Sequence, residues 1–391
     1  ARADRTVDRH TTTARNANLS DIAALLQDRH ARRHDLVVPA SMIQAWRGQI
    51  LVKGSEPQVS ADGVTSTDGL YTPTDVADDG LADKFSIPRA YLRRLREERP
   101  ALLDATLNHH IRGGFAPTAI TNEPDGRSFL LRTLLPEDGS APDTSGILRA
   151  FLSDRYAIQD DFDILLSVLQ AVKETGLHVN VDSADLTEGR MHLRLSAPET
   201  TAMAPALLEG YRSPYRSEHE DSPIVSVGLR ITNSEVGAGA FGIAPEVRVL
   251  ACDNGLVVTK SIQRQVHLGA KMEAGQVNWS QETMEKNAAL IASRTKDAIK
   301  SFLNPVWLAE AVADMTEAAG KPVETVDQVK DVTKSLGFTQ AQMDLILGDF
   351  IRGGSPSLGG VANAITSASQ RVENADDAYA MDLAAGTLLG V

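Results

Sequence analysis

The chain has 391 residues, 42% of them hydrophobic and 23% charged, which is a globular composition and enough for one large domain or two ordinary ones. The sequence holds no run of roughly 18 consecutive apolar residues and no apolar stretch behind its charged N-terminal residues, so we expect neither a membrane span nor a secretory signal. The single cysteine, Cys252, excludes an internal disulfide and a multi-cysteine zinc site, and it predicts a cytoplasmic protein.

Charge is distributed unevenly along the chain. The formal net charge is −13, yet residues 84–99 hold six Lys/Arg against two acids, and residues 254–300 hold seven against four. Residues 301–391 hold five Lys/Arg and twelve Asp/Glu. A basic surface on an acidic protein is therefore available, and the net charge alone does not exclude nucleic acid as a partner.

The pattern of elements divides the chain into three regions. Residues 1–80 are expected to be an N-terminal region of loops and short strands around one amphipathic helix, with Ser20 as its cap. Residues 81–275 are predicted to be an α+β body, and residues 276–391 an acidic helical region. The expected fold class is therefore α+β: an antiparallel-sheet body with packed helices, followed by a helical C-terminal region.

Residues 86–99 have the pattern of a helix with a basic stripe. Ser86 is placed to be its N-cap, and Pro88 suits the first turn, where its missing N–H costs nothing. The apolar residues share one face at helical spacing, and three arginines share another. These arginines are Arg89, Arg93 and Arg96.

The middle of the chain is rich in predicted strands. Residues 129–135 and 147–153 are short apolar runs, and Asp160 and Asp161 are placed to begin a helix that continues to about Thr175. Three later segments alternate apolar and polar residues, as strands of an antiparallel sheet with one buried face commonly do. They are Met191–Leu195, Val225–Ile231 and Val247–Ala251.

Parity within these three strands places one arginine of each on the same side. If the strands pair, we expect those arginines on a common solvent-facing surface. They are Arg194, Arg230 and Arg248.

Helical periodicity dominates the remainder of the chain, with Pro and Gly as punctuation. The predicted helices span 281–302, 305–319, 324–336, 339–351, 359–371 and 374–389.

Motifs for common enzyme chemistry are missing from the sequence, which has no GxxxxGK[ST], no GxGxxG after a strand, no HExxH and no GxSxG. The string Gly237–Gly242 lacks the Lys-Ser/Thr ending of a phosphate loop and predicts a tight hairpin or bulge. The histidines are scattered, and His267 is the most notable of them. The sequence therefore predicts no metal and no cofactor.

Anion binding by arginine and polar turn residues is the chemistry that remains. The segment RAFLSDRY (149–156) places Arg149, Arg155 and Tyr156 near a strand end, where arginine can hold phosphates and tyrosine can stack on bases. Asn233, Ser234 and Asn254 follow strands and are polar turn candidates, together with His267. The alternative is that these residues are ordinary turn residues and surface ion pairs.

Three strings and a tail resemble one known family. FSIPRAYLRRLREERPALLDATLNHHI (85–111), RAFLSDRYAIQDDFDILLSVL (149–169), GLRITNSEVGAGAFGIAPEVRVLACDNGL (228–256) and VANAITSASQ (361–370) are similar to the phage/plasmid-like domain-of-unknown-function 932 family. The combination of LSDRY, NSEVG and the string CDNG at 252–255 is the most specific part. The resemblance implies an accessory protein of phages or plasmids in a host cell's cytoplasm, encoded beside replication and recombination genes.

The leading hypothesis is a DNA-metabolism accessory protein that binds or anneals single-stranded DNA as a homo-oligomer in recombination. Its proposed groove consists of Arg89, Arg93, Arg149, Arg155, Tyr156, Arg194, Arg230, Arg248, Lys260 and Arg264.

Two alternatives stay open. One is a structural or interaction protein without catalytic activity, such as a phage assembly component or an inhibitor of host defence, with a host or phage protein as its partner. The other is an enzyme, the less favoured reading, whose polar pocket would use five residues. These are Asp154, Arg155, Asn233, Glu235 and His267.

Overall fold

The computed structural model describes residues 6–8, 13–53, 58–60, 63–65, 68–111, 126–136, 146–208, 224–249, 254–259, 262–265, 275–276 and 281–391. In this part of the chain the backbone forms an eight-stranded sheet, a seven-stranded sheet, a two-stranded hairpin and twelve α-helices. The predicted α+β class and helical C-terminal region are both confirmed. None of these helices is long and apolar enough to cross a membrane.

The eight-stranded sheet, sheet A, is antiparallel in every pairing, and its strands are numbered in chain order. In spatial order they are β1 (Thr6–Asp8), β2 (Thr13–Ala17), β11 (Asn180–Leu186), β12 (Met191–Met203), β13 (Ile224–Asn233), β14 (Phe241–Val249) and β15 (Asn254–Val257), with β16 (Gln263–Gln265) also paired to β14. The three alternating segments lie in β12, β13 and β14, except for residues 250–251, which are outside the described residues. The Gly237–Gly242 string lies at the β13–β14 hairpin, as predicted.

The seven-stranded sheet, sheet B, is mixed, because β8 and β10 run parallel while its other pairs are antiparallel. In spatial order its strands are β17 (Gly275–Gln276), β3 (Leu36–Pro39), β9 (Ser128–Leu134), β10 (Gly146–Ser153), β8 (Gly69–Pro73), β5 (Gln49–Val52) and β4 (Ile43–Trp46). The separate hairpin pairs β6 (Gln58–Ser60) with β7 (Gly63–Thr65).

The sheet-associated helices are α1 (Leu19–Arg32), α2 (Asp75–Phe85), α3 (Arg89–Glu98), α4 (Pro100–Ile111), α5 (Asp161–Thr175) and α6 (Pro205–Leu208), and a short 3-10 helix spans Ala40–Met42.

Two of the predicted helix caps are wrong. Asn18, not Ser20, caps α1, because its side chain accepts a backbone N–H of the first turn at 2.8 Å. Ser86 does not begin α3; it ends α2 in the left-handed conformation, with φ 55°, and α3 starts at Arg89 after Pro88. The sequence pattern did not predict the short link between α2 and α3.

The C-terminal helices agree with their predicted bounds within two residues. Polar caps define where several of them begin: Asn304, Thr325, Thr339 and Asn374 each accept backbone N–H groups of the first turn. The helices are α7 (Gln281–Phe302), α8 (Pro305–Ala319), α9 (Val326–Ser335), α10 (Gln340–Gly353), α11 (Leu358–Ser369) and α12 (Ala375–Leu388).

Two apolar cores hold the layers together. The larger core packs sheet A against α1, α5 and the C-terminal helices, and the smaller one packs sheet B against α2, α3 and α4. Strands from the first 80 residues belong to both sheets, and β17 from residue 275 belongs to sheet B. The expected boundary at residue 80 therefore cuts through both sheets.

Candidate functional site

The basic stripe of α3 is paired with acids of the neighbouring helix α2. Arg89 Nη2 lies 2.8 Å from Asp83 Oδ2, and Arg93 Nη2 lies 2.7 Å from Asp79 Oδ1. Both arginines are about half exposed, with side-chain accessibilities of 54% and 47%. The two guanidinium groups therefore remain accessible to solvent. Exposed pairs of this kind contribute little to stability, roughly 0–1 kcal/mol.

The three sheet arginines share a face as parity predicted, but that face is covered. Arg194 lies directly opposite Arg230 across β12 and β13. Both pair with Asp382 of α12, at 3.1 and 2.9 Å, and Arg230 also pairs with Glu246 at 2.7 Å. Arg248 pairs with Asp182.

The prediction that Arg194, Arg230 and Arg248 face solvent is therefore wrong. Arg230 is 1% exposed and Arg248 9%. The physical reason is α12, which lies over this face and brings its own carboxylate, Asp382, into contact with two of the arginines.

The LSDRY and NSEVG strings fold against each other. Tyr156 donates its hydroxyl hydrogen to the carbonyl of Ser234 at 2.7 Å, so its ring is part of the packing and not a free stacking surface. Gly237 has φ +82°, which other residues rarely adopt, and a Cβ there would lie 2.6 Å from Leu152 Cδ2, so the Leu152 side chain would have to shift. Asn233 is fully buried and donates to the carbonyl of Gln159 at 2.9 Å.

These strings contribute to a buried set of charges between the two sheets, which we call the intersheet cluster. Glu235 is its centre, contacting Arg29 at 3.3 Å, Arg132 at 4.0 Å and also Arg149. The cluster has four arginines and four carboxylates, so its formal charge is zero. Its members are Arg29, Arg33, Asp35, Arg132, Arg149, Asp160, Asp161 and Glu235.

Arg132 ties the cluster to both sheets. It lies on β9 of sheet B, is 1% exposed, and reaches Asp35 at 3.0 Å and Asp160 at 2.6 Å. Its Nη1 also donates to the carbonyl of Glu235, which follows β13 of sheet A, at 2.7 Å.

Burial and neighbouring charge shift the acids of the cluster in opposite directions. Burial opposes ionisation of Glu235, but the guanidinium groups of Arg149, Arg132 and Arg29 outweigh it and lower the Glu235 pKa. Burial raises the pKa of Asp161, and the nearby Glu235 carboxylate raises it further. Burial also lowers the pKa of Arg29 to about 10.

Chemistry on a substrate is not supported at the intersheet cluster. Its cavity has a volume of about 10 Å³, which holds about one water molecule. Asn233 and Glu235 of the enzyme hypothesis do converge there, but around ion pairs and without space for a ligand. In the described part of the chain, no group of His, Cys, Asp and Glu side chains is arranged to hold a metal ion.

The remaining predicted site residues are dispersed. Arg155 is exposed and forms no ion pair with any described residue. Ser234 donates to the carbonyl of Gly189 at 2.7 Å and accepts from the N–H of Ala238 at 2.8 Å. Asn254 lies in β15 and Arg264 in β16, but their side chains are not described. Lys260 and His267 lie outside the described residues. Those of the ten predicted groove residues that are described do not form a common groove.

A cleft of about 550 Å³ is lined in part by the turn between β13 and β14, residues 234–240, which we call the NSEVG turn after the string at its start. This volume is in the range of ordinary ligand sites. We call it the acidic cleft, and its lining consists of residues 13–15 of β2, 75–76 of α2, 186–190 of the β11–β12 hairpin, 238 of the NSEVG turn, and 373–376 at the start of α12.

The arginines that line the acidic cleft are already engaged. Arg15 pairs with the buried Asp185 at 2.7 Å and donates to the carbonyl of Val372 at 3.3 Å. Arg190 donates from Nε to the carbonyl of Ala238 at 2.9 Å. Both guanidinium groups therefore already have partners within the protein.

Three carboxylates of the acidic cleft have no such cationic partner. In the described part of the chain, no basic side chain forms an ion pair with Asp75, Glu188 or Glu373. Burial raises the pKa of Glu188, and the nearby carboxylate of Asp75 adds to this, while the backbone N–H of Asp75 donates to Glu188. In the described lining of the cleft, four carboxylates therefore face two arginines.

Asp376 is held at the back of the cleft by neutral and charged donors. Thr187 donates to it at 2.9 Å, Arg190 lies 3.7 Å away, and His192 Nε2 lies 2.8 Å from Oδ1. Burial lowers the pKa of His192, which opposes protonation of the ring. Sequence reasoning missed this site because its acids come from three distant segments and share no motif.

The chain matches no family model, no curated protein and no solved structure. The family resemblance of the strings at 149–169 and 228–256 therefore stays a prediction, because no relative tests it.

Proposed function

We propose that this protein is a non-catalytic interaction protein that binds a basic protein partner through the acidic surface of its C-terminal helical region. One observation carries the proposal: residues 301–391 expose nine carboxylates and only four basic side chains, an excess of five negative charges. The exposed acids are Glu310, Asp314, Glu317, Glu324, Asp327, Asp331, Asp344, Glu373 and Asp377.

Neutralisation of the interior explains why this surface is acidic. Arginines of sheets A and B contact buried carboxylates, as Arg132 contacts Asp35 and Arg230 contacts Glu246. The negative balance of the chain therefore falls largely on exposed helices. A one-sign surface of this kind speeds the approach of an oppositely charged protein and repels nucleic acid phosphates.

A charge-placement experiment tests the proposal. The probe is a fluorescently labelled octalysine peptide, with the same peptide acetylated on its lysines as the uncharged control. We expect wild-type protein to bind octalysine, and the double variant Glu324→Lys/Asp331→Lys to bind it about tenfold more weakly, because each reversal removes attraction worth roughly 0.5–1 kcal/mol.

The matched control is Glu97→Lys/Glu98→Lys on α3, which changes the net charge equally at a different place. Equal weakening by both double variants would contradict the proposal, because the effect would then follow net charge and not this surface.

Nucleic acid binding is the second candidate function, supported by the exposed face of α3. Arg89 and Arg93 are half exposed, Arg94 has 69% of its side chain exposed, and Tyr91 is exposed beside them on the same helix. Phosphates can compete with weak exposed ion pairs. Salt-sensitive binding of a single-stranded oligonucleotide that Arg89→Glu/Arg93→Glu abolishes would favour this function over the first.

The wider setting of the proposal comes from the sequence. The single cysteine, Cys252, supports a cytoplasmic place of action. The resemblance to the phage/plasmid-like family supports a role in an infected or plasmid-bearing host, where an acidic protein can occupy the basic surface of a host or phage protein. Self-association is tested by measuring the mass of the protein in solution.

A further inference from the structure

The acidic cleft offers a site for one kind of charged group. Its unpaired carboxylates, Asp75, Glu188 and Glu373, come from α2, the β11–β12 hairpin and the residue preceding the α12 cap. The same lining includes Ala14, Val76 and other small apolar residues. A ligand with an aliphatic stem and a positive end matches both parts of this lining.

An anion is a poor match for the same cleft, although two helices begin there. At α2, the N–H of Ala77 is taken by Thr74 and the N–H of Asp75 by Glu188. At α12, Asn374 accepts the N–H groups of Asp376 and Asp377, at 2.8 and 3.2 Å. Two helix starts add about half a positive charge each, which does not offset the three unpaired carboxylates.

A bare metal ion also fails to match, because the cleft is wide and the described residues contain no group of ligands arranged for a metal. The volume of about 550 Å³ accommodates one or two extended side chains. Glu373 continues the exposed acidic surface of the helical region into the cleft, so a partner on that surface can reach both.

We infer that the acidic cleft receives a lysine or arginine side chain of the basic protein partner, with the carboxylates of Asp75, Glu188 and Glu373 around its charged end. This inference rests on the proposed function and adds to it a specific site. It also gives the NSEVG turn a role, since Ala238 of this turn forms part of the cleft and its carbonyl holds Arg190 in place.

The test uses the full chain and the octalysine probe. We expect Glu188→Gln and Glu373→Gln each to weaken octalysine binding about threefold, and the double variant about tenfold, because each removes one unpaired charge. Glu188→Arg should weaken it further. The control is Glu324→Gln, which removes one charge just before α9 and outside the cleft, and should weaken binding less than Glu188→Gln does. Thermal unfolding of each variant verifies that it is folded.

Three outcomes overturn the inference. If Glu324→Lys/Asp331→Lys weakens binding but Glu188→Gln/Glu373→Gln does not, the cleft is not the site while the proposed function stands. If neither double variant weakens binding, both the site and the proposed function fail. If spermidine binds at micromolar concentration and octalysine does not, the occupant is a free polyamine and not a side chain of a protein.

Discussion

The intersheet cluster and the acidic cleft both include residues of one turn, and their balance of charges differs. Glu235 of that turn is surrounded by three arginines in a cluster of zero formal charge. Ala238, three residues later, lines a cleft in which carboxylates outnumber the cations that face them. The difference shows that the arginines facing the interior pair with buried carboxylates, and that the exposed C-terminal helices carry a negative balance.

The free-energy cost of removing a charged partner also differs between the buried cluster and the exposed cleft. A buried charge that loses its partner is left desolvated and costs several kcal/mol, whereas an exposed charge is solvated by water whether paired or not. Substitutions in the cluster should therefore affect stability, and substitutions in the cleft should affect binding.

Glu235→Ala should have the largest effect on stability. The substitution leaves Arg29, Arg132 and Arg149 buried without their shared carboxylate, so we expect the free energy of unfolding in urea to fall by about 3–5 kcal/mol. Glu324→Ala, at an exposed position just before α9, is the control and should change it by less than about 0.5 kcal/mol. A loss below about 1 kcal/mol for Glu235→Ala would show that the cluster is not held by its charges.

Arg230→Ala tests the covered face of sheet A in the same way. Its removal leaves Glu246 and Asp382 as buried carboxylates with less compensation, and we expect a loss of about 3 kcal/mol or more. Arg89→Ala removes an arginine of the exposed α3 stripe and should cost at most about 1 kcal/mol. Similar losses for both variants, measured by chemical unfolding, would break the distinction between interior and surface arginines.

Asp161→Asn should change how stability depends on pH. The raised pKa of Asp161 means that the folded state keeps this proton to a higher pH than the unfolded chain, whose aspartates titrate near about 3.9. Above that pH the folded state binds more protons, so this group makes stability fall as pH rises toward neutrality.

The variant lacks this contribution. Between pH 5 and pH 7 the wild type should therefore lose more unfolding free energy, or gain less, than Asp161→Asn does. Asp163→Asn, two residues further along the same helix, is the control. Parallel pH profiles for wild type and Asp161→Asn would contradict the assignment.

Glu188→Gln should have the smallest effect on stability. Burial and the carboxylate of Asp75 disfavour the charged form of Glu188, and the amide oxygen of glutamine can still accept the N–H of Asp75. We expect the free energy of unfolding to stay within about 0.5 kcal/mol of wild type or to rise. A loss above about 1 kcal/mol would mean that this carboxylate stabilises the fold rather than serving a ligand.

Much of the fold could be predicted from local patterns. The C-terminal helices follow from Asn304–Pro305, Gly320, Gly337 and helical spacing, because caps and breakers act within a few residues. Parity also predicted that Arg194 and Arg230 share a face. What parity could not reveal was the position of α12, about 150 residues later in the chain, which turns that face into an interior.

The candidate site was harder to predict for the same reason. The strings at 149–169 and 228–256 suggested a site in the sequence, but they contribute to internal ion pairs, as Arg149 does with Glu235. The cleft carboxylates Asp75, Glu188 and Glu373 each look like ordinary turn or helix-start acids in the sequence. Only their convergence in space makes them a site.

The most direct measurement is fluorescence anisotropy of wild-type protein with labelled octalysine and with a labelled single-stranded oligonucleotide of equal length, in one low-salt buffer. An acidic interaction surface predicts micromolar binding of octalysine, weakened by salt, and no binding of the oligonucleotide. Binding of the oligonucleotide without binding of octalysine would contradict it.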